Sequence, residues 1–586
     1  MKLRSIGMAL LVLLYMTGWG QDSIKKKSPV KVSGAMGVTY EYYGLSRNPA
    51  GWTGYTPRRP WNQLRFRFAP TFRFSKNFSL PVNFNFAAFP TNFAGPYAGI
   101  QKQNFGQWLT NPLNNFGLNP TYKWAELQLG TQYLNYSNLS TGDIGIFGAG
   151  FSLRPGTYRF KFFTGISQQG IDYSPPVPGP FVQGAYKRSN WMAQIGKEDP
   201  GKYELAFNFV KAKDKINSAN PPPPTTAPQE GFTLSLVSKV FLKKGWYVNV
   251  EGAQSIYTKD LNTPLTPFIK SFKPFIEART STIKDYAGEA GLGKKSKNFD
   301  VGVLVKYIGA GFQTPGYMFL QPDKLDYTIN TRFNAWKNKY GSYRMNVVAS
   351  AGQRVNNVSS TTTKAKQFIG NLNWFTQFDD HFNLNLSYNN FGFQSASTSS
   401  PTALRNISND IGITPTYTWN TSKMTNLISL TYNYSKYDEK DYTLAPFPLV
   451  TSNNTHTFLL TYVPVFFNRD ISPDFNAMYF YNKLPGFIMK LMTVSVGMGM
   501  PVAKKKVQLR GQLQYTLGKN NTFTPNNNLV ASLNADWKIN KKLTWTNYFT
   551  TNYYKYGNEL APPASLVGAN YIETNVRTGL QYRFGK

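Results

Sequence analysis

The sequence predicts an all-β fold: one large closed antiparallel transmembrane β-barrel of about 26 strands. Three observations lead there. Apolar and polar residues alternate with period two in segment after segment, so each segment is a strand with one greasy face. Short turns and long polar loops alternate along the chain. Past residue 21, no apolar run approaches the ~20 residues that a membrane helix needs.

Composition narrows the field further. The 586 residues include 44 Phe, 37 Tyr and 12 Trp, yet only 16% are charged. A soluble β-sandwich is disfavoured, because greasy faces over so many hairpins would aggregate in water. The absence of cysteine removes disulfide scaffolds, thiolate zinc sites, iron–sulfur clusters and cysteine nucleophiles. Two histidines, His381 and His456, leave little for metal or acid–base chemistry, so neither a metal nor a cofactor is expected.

Residues 1–20 read as a secretory signal. Lys2 and Arg4 precede the apolar run Ile6 to Met16, and Gly18-Trp19-Gly20 is a small-x-small cleavage site before Gln21. Residues 21–29 are a short periplasmic tail, and 30–584 form the barrel as a single domain. Val30, Val32, Met36, Val38, Tyr40 and Tyr42 share one face of the first strand. In residues 64–74, Leu64, Phe66, Phe68, Phe72 and Phe74 alternate with Arg65, Arg67, Thr71 and Arg73. After the turn Ser75-Lys76-Asn77, Phe78, Leu80, Val82, Phe84 and Phe86 continue the pattern. The same hairpin texture returns near 232–250, 368–388 and 507–515.

Short turns such as Arg154-Pro155-Gly156, Lys294 to Lys297 and Asn540 to Lys542 face the periplasm in such barrels, and long loops face outside. The long loops are 43–63, 89–114, the stretch holding Pro221 to Pro224, 258–284, 394–408 and 437–454. Strands counted under this rule start near 30 and 64 and end with one starting near 570; three others start near 182, 409 and 455. Thirteen run up and thirteen down, and the weak segments 115–123 and 474–481 leave a range of 24–28. The last strand, Arg577-Thr578-Gly579-Leu580-Gln581-Tyr582-Arg583-Phe584, resembles the signal read by outer-membrane assembly machinery, with Gly579, Tyr582 and Phe584 at its key positions. It departs from the usual form in continuing to Gly585-Lys586.

Two stretches resemble a family of uncharacterised outer-membrane β-barrels of Bacteroidota. One runs from Leu118-Asn119-Pro120-Thr121-Tyr122-Lys123-Trp124 through Leu127-Gln128-Leu129-Gly130 to Gly148-Ala149-Gly150-Phe151 and Arg154-Pro155-Gly156. The other runs from Tyr307-Ile308-Gly309 through Gly316-Tyr317 to Asp326-Tyr327. The resemblance implies fold and a Gram-negative outer-membrane location, and carries no catalytic or binding residues across.

The polar strand face is the main functional clue. Arg65, Arg67, Arg73, Arg159, Lys161, Arg510, Arg577 and Arg583 oppose apolar faces and should line the lumen, with Glu126, Glu204 and Glu573 as acidic counterparts. At mid-membrane a lipid-facing arginine would cost about 2–4 kcal/mol. Such a lining either guides anions or braces the wall by ion pairs. The loop 89–114, with Phe93, Tyr97, Gln103, Phe105 and Trp108, is the candidate constriction. It would either narrow the channel or simply pack on the rim. These features suit a porin- or transporter-like conduit, possibly partner-gated, for solutes or secreted macromolecules. The alternative is a structural or docking barrel whose lumen is plugged by a partner protein; a barrel-rim hydrolase using His456 is a remote third. No globular plug precedes the first strand, which argues against a TonB-dependent importer.

The formal charge is +35. It invites a nucleic-acid reading until the lysines are placed. Lys76, Lys243, Lys244, Lys294, Lys295, Lys504, Lys505, Lys541 and Lys542 sit in short turns, where anionic lipid headgroups attract them. The expected contacts are outer-membrane lipids and assembly machinery, not nucleic acid.

Overall fold

A computed structural model describes residues 30–49, 59, 61–88, 105–110, 114–142, 144–175, 182–266, 275–317, 320–334, 344–395, 404–441, 449–467, 470–521, 524–557 and 568–585. The signal and tail read at 1–29 lie outside them. The chain forms a closed antiparallel barrel of 26 strands. One strand is split by Asn119-Pro120 into Asn115–Leu118 and Thr121–Tyr122, because proline has no amide to give the ladder. Its partner Gly130 answers the split: its φ is +87°, and a Cβ there would meet the Phe116 carbonyl at 1.6 Å.

Each strand pairs with its neighbours in sequence, and the ring closes where Lys31–Asn48 pairs with Asn570–Phe584 in the register Glu41↔Arg577 and Ala35↔Arg583. Closure leaves no edge strand to aggregate. Side chains alternate across the wall as the period-two pattern requires. Ile195, Leu236, Ile329, Met492 and Leu513 are exposed on the outer face. Such exposure is costly in water but is what lipid-facing positions demand.

Most strand starts fall within two or three residues of the sequence reading. Three do not. The strands Leu404–Asn420 and Leu449–Phe466 begin five and six residues earlier than expected, inside the loops read at 394–408 and 437–454. These extensions carry polar residues such as Asn406 and Asn453, where pairing continues after the apolar signal has stopped. The third, Lys187–Asp199, begins five residues late. Its expected first turn instead forms the isolated bridges Ile171↔Ala185 and Ser174↔Val182.

Candidate functional site: the lumen wall

Register fixes which side chains share the inner face. Ser152 pairs with Lys161, and the row Arg510, Asn534, Tyr548, Arg577 and Glu41 runs across five strands, all opposed to outward apolar residues. All eight basic residues singled out in the sequence lie on this inward face. Arg65, Arg67, Arg510 and Arg577 converge on a cleft of about 940 Å³ at the closing seam, with Glu41, Asp470 and Asp536 in its wall.

Their partners differ. Arg577 lies 4.0 Å from Glu41, and its guanidinium sits 5.4 Å from the centre of the Tyr548 ring. Arg510 pairs with Asp474 at 3.0 Å. Arg65 donates from Nε to Gln63 at 3.1 Å. Arg159 is held between Glu198 and Glu204, the latter at 3.4 Å. Lys161 sits over the Tyr136 ring at 5.2 Å. Arg73 and Arg583 lie at the short-turn end of the seam, where the Arg583 amide donates to the Lys542 carbonyl.

The lumen feature that sequence reasoning missed is the loop 135–142. It leaves the outer end of the strand Ala125–Leu134 and folds inward onto Trp246–Thr258 and Thr282–Lys295, with five strands between. Both Glu251 carboxylate oxygens accept loop backbone amides, from Asn138 and Leu139, each at 3.1 Å. Asn138 donates its side-chain amide to Glu289 at 2.7 Å, and Lys306 pairs with the other Glu289 oxygen at 3.4 Å. Glu251 and Glu289 are direct cross-strand neighbours, and both are buried. Two like charges so placed repel; the loop amides and Lys306 supply the compensation.

Apolar packing completes the dock. Leu139 is fully buried in a niche formed by Ala253, Ala287, Ile308 and Phe312. Paired alanines at 253 and 287 leave the wall hollow at that spot. A serine–amide chain extends the contact: Ser137 reaches Ser235 at 3.1 Å, Asn208 donates to Ser235 at 3.0 Å, and Gln194 donates to Asn208 at 2.7 Å. Burial pushes the Tyr136 hydroxyl well above its ordinary range. A second segment, 309–317, covers the loop. Thr314 donates to the Ser140 carbonyl at 2.7 Å, and Gly142 donates to Gly316. Gly316 permits that approach, since a Cβ would lie 2.4 Å from the Ser140 carbonyl oxygen.

In the expected constriction loop, Phe93, Tyr97 and Gln103 lie outside the described residues, and Phe105 opens a five-residue helix, Phe105–Leu109. Trp108 is placed at the lip, edge-on to Phe86 and against Phe116, on the outward apolar face, and its indole donates to the Ala87 carbonyl. His456 also faces outward, stacked among Tyr432, Tyr434 and Tyr481 with its Nδ1 3.0 Å from the Tyr432 hydroxyl. His381 lies in a short turn against the Thr418 carbonyl. In the last strand, Tyr582 and Phe584 face outward, with Phe584 edge-on to Phe68, and Gly579 faces in beside Thr39.

The wall from about 365 to 535 is different again. Its inward positions are amides and hydroxyls: Asn371 opposite Asn389, Thr416 opposite Ser429, Thr461 opposite Asn476, Thr493 opposite Thr516. These bond mostly to one another, as in Thr461 to Asn476 at 2.8 Å and Thr493 with Thr516 at 2.9 Å. Charge there is sparse.

This architecture is that of a large membrane-spanning β-barrel of the outer-membrane type. No family model and no curated protein matches the chain. Among solved structures it is similar to the E. coli P pilus tip assembly intermediate PapC-PapD-PapK-PapG, at 10% identity and a TM-score of 0.42 over 93% of this chain and 61% of the other. It thus spans about three fifths of that chain's length. It is also similar to the ferric enterobactin receptor PfeA of Pseudomonas aeruginosa, at 10% identity and a TM-score of 0.39 over 94% and 81%, and to the P pilus usher PapC translocation pore, at 9% and 0.34 over 93% and 98%.

Proposed function

We propose that this chain is a Gram-negative outer-membrane conduit for solutes or secreted macromolecules, exported by its N-terminal signal and seated by the barrel assembly machinery. One observation carries the reading: a closed ring of 26 strands whose inner face is mostly polar outside the apolar clusters around Phe163 and Leu139. Barrels of 16–18 strands already leave an aqueous channel, and a wider ring leaves a larger one unless filled. The long amide-and-hydroxyl wall favours passage over capture, because uncharged groups that already bond to each other hold a passing molecule only weakly. Catalysis has no support from the histidines, one in a turn and one among outward tyrosines.

Planar-bilayer recording tests the reading. The protein should conduct, and replacing 135–142 by a short Gly-Ser linker should raise unitary conductance. Arg65→Gln with Arg67→Gln should shift the reversal potential away from anion preference without unfolding the barrel. No current from either the parent or the linker variant would sink the free conduit. The docked loop gives some weight to a second reading, a docking barrel with a filled lumen. A stoichiometric partner retained on gentle solubilisation, together with absent conductance, would favour it.

A further inference from the structure

We propose that the periplasmic end of the seam carries a binding site for an acidic polypeptide segment. Lys31, Arg73, Lys76 and Lys123 line one concavity of about 590 Å³, together with Ser79 and Thr121 and with no Asp or Glu in the lining. Several wall cations elsewhere have a carboxylate partner: Arg188 with Asp214, Lys306 with Glu289, Arg354 with Asp326, Arg510 with Asp474, Arg577 with Glu41; Arg65 and Lys161 instead meet Gln63 and the Tyr136 ring. Among the described residues none of these four lining cations has a carboxylate within 4.0 Å.

Their arrangement is also locally unfavourable. Lys31 and Arg73 are direct cross-strand partners on the same face, a like-charge pairing that destabilises a sheet. Lys123 holds a left-handed backbone, φ +50°, at a turn position where asparagine or glycine fits more easily. A chain that keeps four cations without a carboxylate partner in one hollow, three of them at a local cost, gains when an outside anion supplies the missing charge.

Orientation narrows the kind of anion. Arg73 and Lys31 lie on the inner face, opposite the outward Phe72 and Val32, so for these two lipid headgroups are on the wrong side of the wall, while Lys123 Nζ lies 5.5 Å from the centre of the outward Tyr122 ring. The basic row does not stop at the hollow. Arg583 lies on the adjacent strand, and its amide bonds to exposed Lys542 in the next turn. A row of positive charge along an open rim matches an extended acidic chain better than a single small anion. The site rests on the short turns facing the periplasm, as in the proposed conduit, but its occupancy is read by binding and not by current.

The test uses the purified barrel in zwitterionic nanodiscs and fluorescein-labelled deca-glutamate at low salt. The variant Lys31→Gln, Arg73→Gln, Lys76→Gln, Lys123→Gln should weaken binding by about tenfold or more. A charge-matched control, Lys243→Gln, Lys244→Gln, Lys294→Gln, Lys295→Gln, should change it by less than about twofold, since those charges lie elsewhere on the rim. The charge-keeping variant Lys31→Arg, Arg73→Lys, Lys76→Arg, Lys123→Arg should retain binding, which separates lost charge from lost fold. Equal weakening by the first variant and the control would overturn the proposal, leaving only bulk attraction. So would inorganic phosphate binding as tightly as the peptide, or displacement of the peptide by phosphatidylglycerol added to the nanodisc.

Discussion

The two sides of the lumen are built on opposite plans. Between residues 125 and 356 the wall is braced: the loop 135–142 lies across it, Glu251 and Glu289 are buried beneath, and Leu139 fills a hollow five strands from its own hairpin. Among the described residues the wall between about 365 and 535 is bare, and its inward amides and hydroxyls bond mostly to near neighbours. The bare wall is stabilised hairpin by hairpin, as a closed ladder allows. The braced wall spends inward positions on holding another segment, and those positions cannot also face a passing molecule. In the proposed conduit, transit falls to one side and narrowing of the bore to the other.

The largest effect that would break this contrast comes from Leu139→Ala. Truncating a fully buried leucine in a filled niche typically costs about 2–5 kcal/mol. Here the loss should fall on docking of the loop. Hydrogen exchange at the Asn138 and Leu139 positions should accelerate strongly, while amides in the strand Leu449–Phe466 keep their rates. Uniform acceleration around the ring would show that the two walls are one cooperative unit.

A smaller effect sharpens the same point. Glu251→Ala leaves two loop amides without acceptors, the buried one at Leu139 worth about 1–3 kcal/mol as a stranded group. Glu251→Gln keeps one acceptor oxygen and relieves repulsion from Glu289, so its loop should exchange more slowly than that of the alanine variant. If glutamine proved as disruptive as alanine, the carboxylate's charge rather than its two acceptors would hold the loop.

The two plans were unequally legible in the sequence. Period two made the strands readable, since every lipid-facing position must be apolar and every second residue must not be. The same rule put Arg65, Arg67, Arg510 and Arg577 on one face. It could not bring them to one cleft, because that depends on the first strand closing against the last. The loop was illegible for a further reason. Asn135 to Gly142 looks like any polar connection, and its anchors lie more than 100 residues away. The faint signal was on the wall itself: inward glutamates at 251 and 289 beside inward alanines at 253 and 287, a charged hollow with no local use. The stretch 89–114 is richer in aromatics and reads as the better constriction, yet its described Trp108 packs at the lip.

The smallest expected effect belongs to the bare wall and tests whether it responds only locally. In the turn Asp379-Asp380-His381, one Asp379 oxygen accepts the Phe382 amide at 2.6 Å and the His381 amide at 2.7 Å. These two bonds hold its carboxyl below the usual range, the Phe382 amide contributing most. A carboxylate whose folded pKa is depressed contributes above its unfolded pKa, about 3.9, and loses that contribution as pH falls through the folded value. Protection of the His381 and Phe382 amides should therefore be insensitive to carboxyl titration from pH 8 to 5 and decline only in stronger acid. Asp379→Asn keeps an acceptor without a proton to gain, so its acid decline should vanish. Asp379→Ala should expose both amides at every pH. Neither change should reach the strand Met424–Asp441, one strand beyond Leu404–Asn420, whose Thr418 bonds His381 directly. A pH-dependent change in exchange there would mean that the bare wall transmits strain between hairpins, and that bracing alone does not distinguish the two sides of the bore.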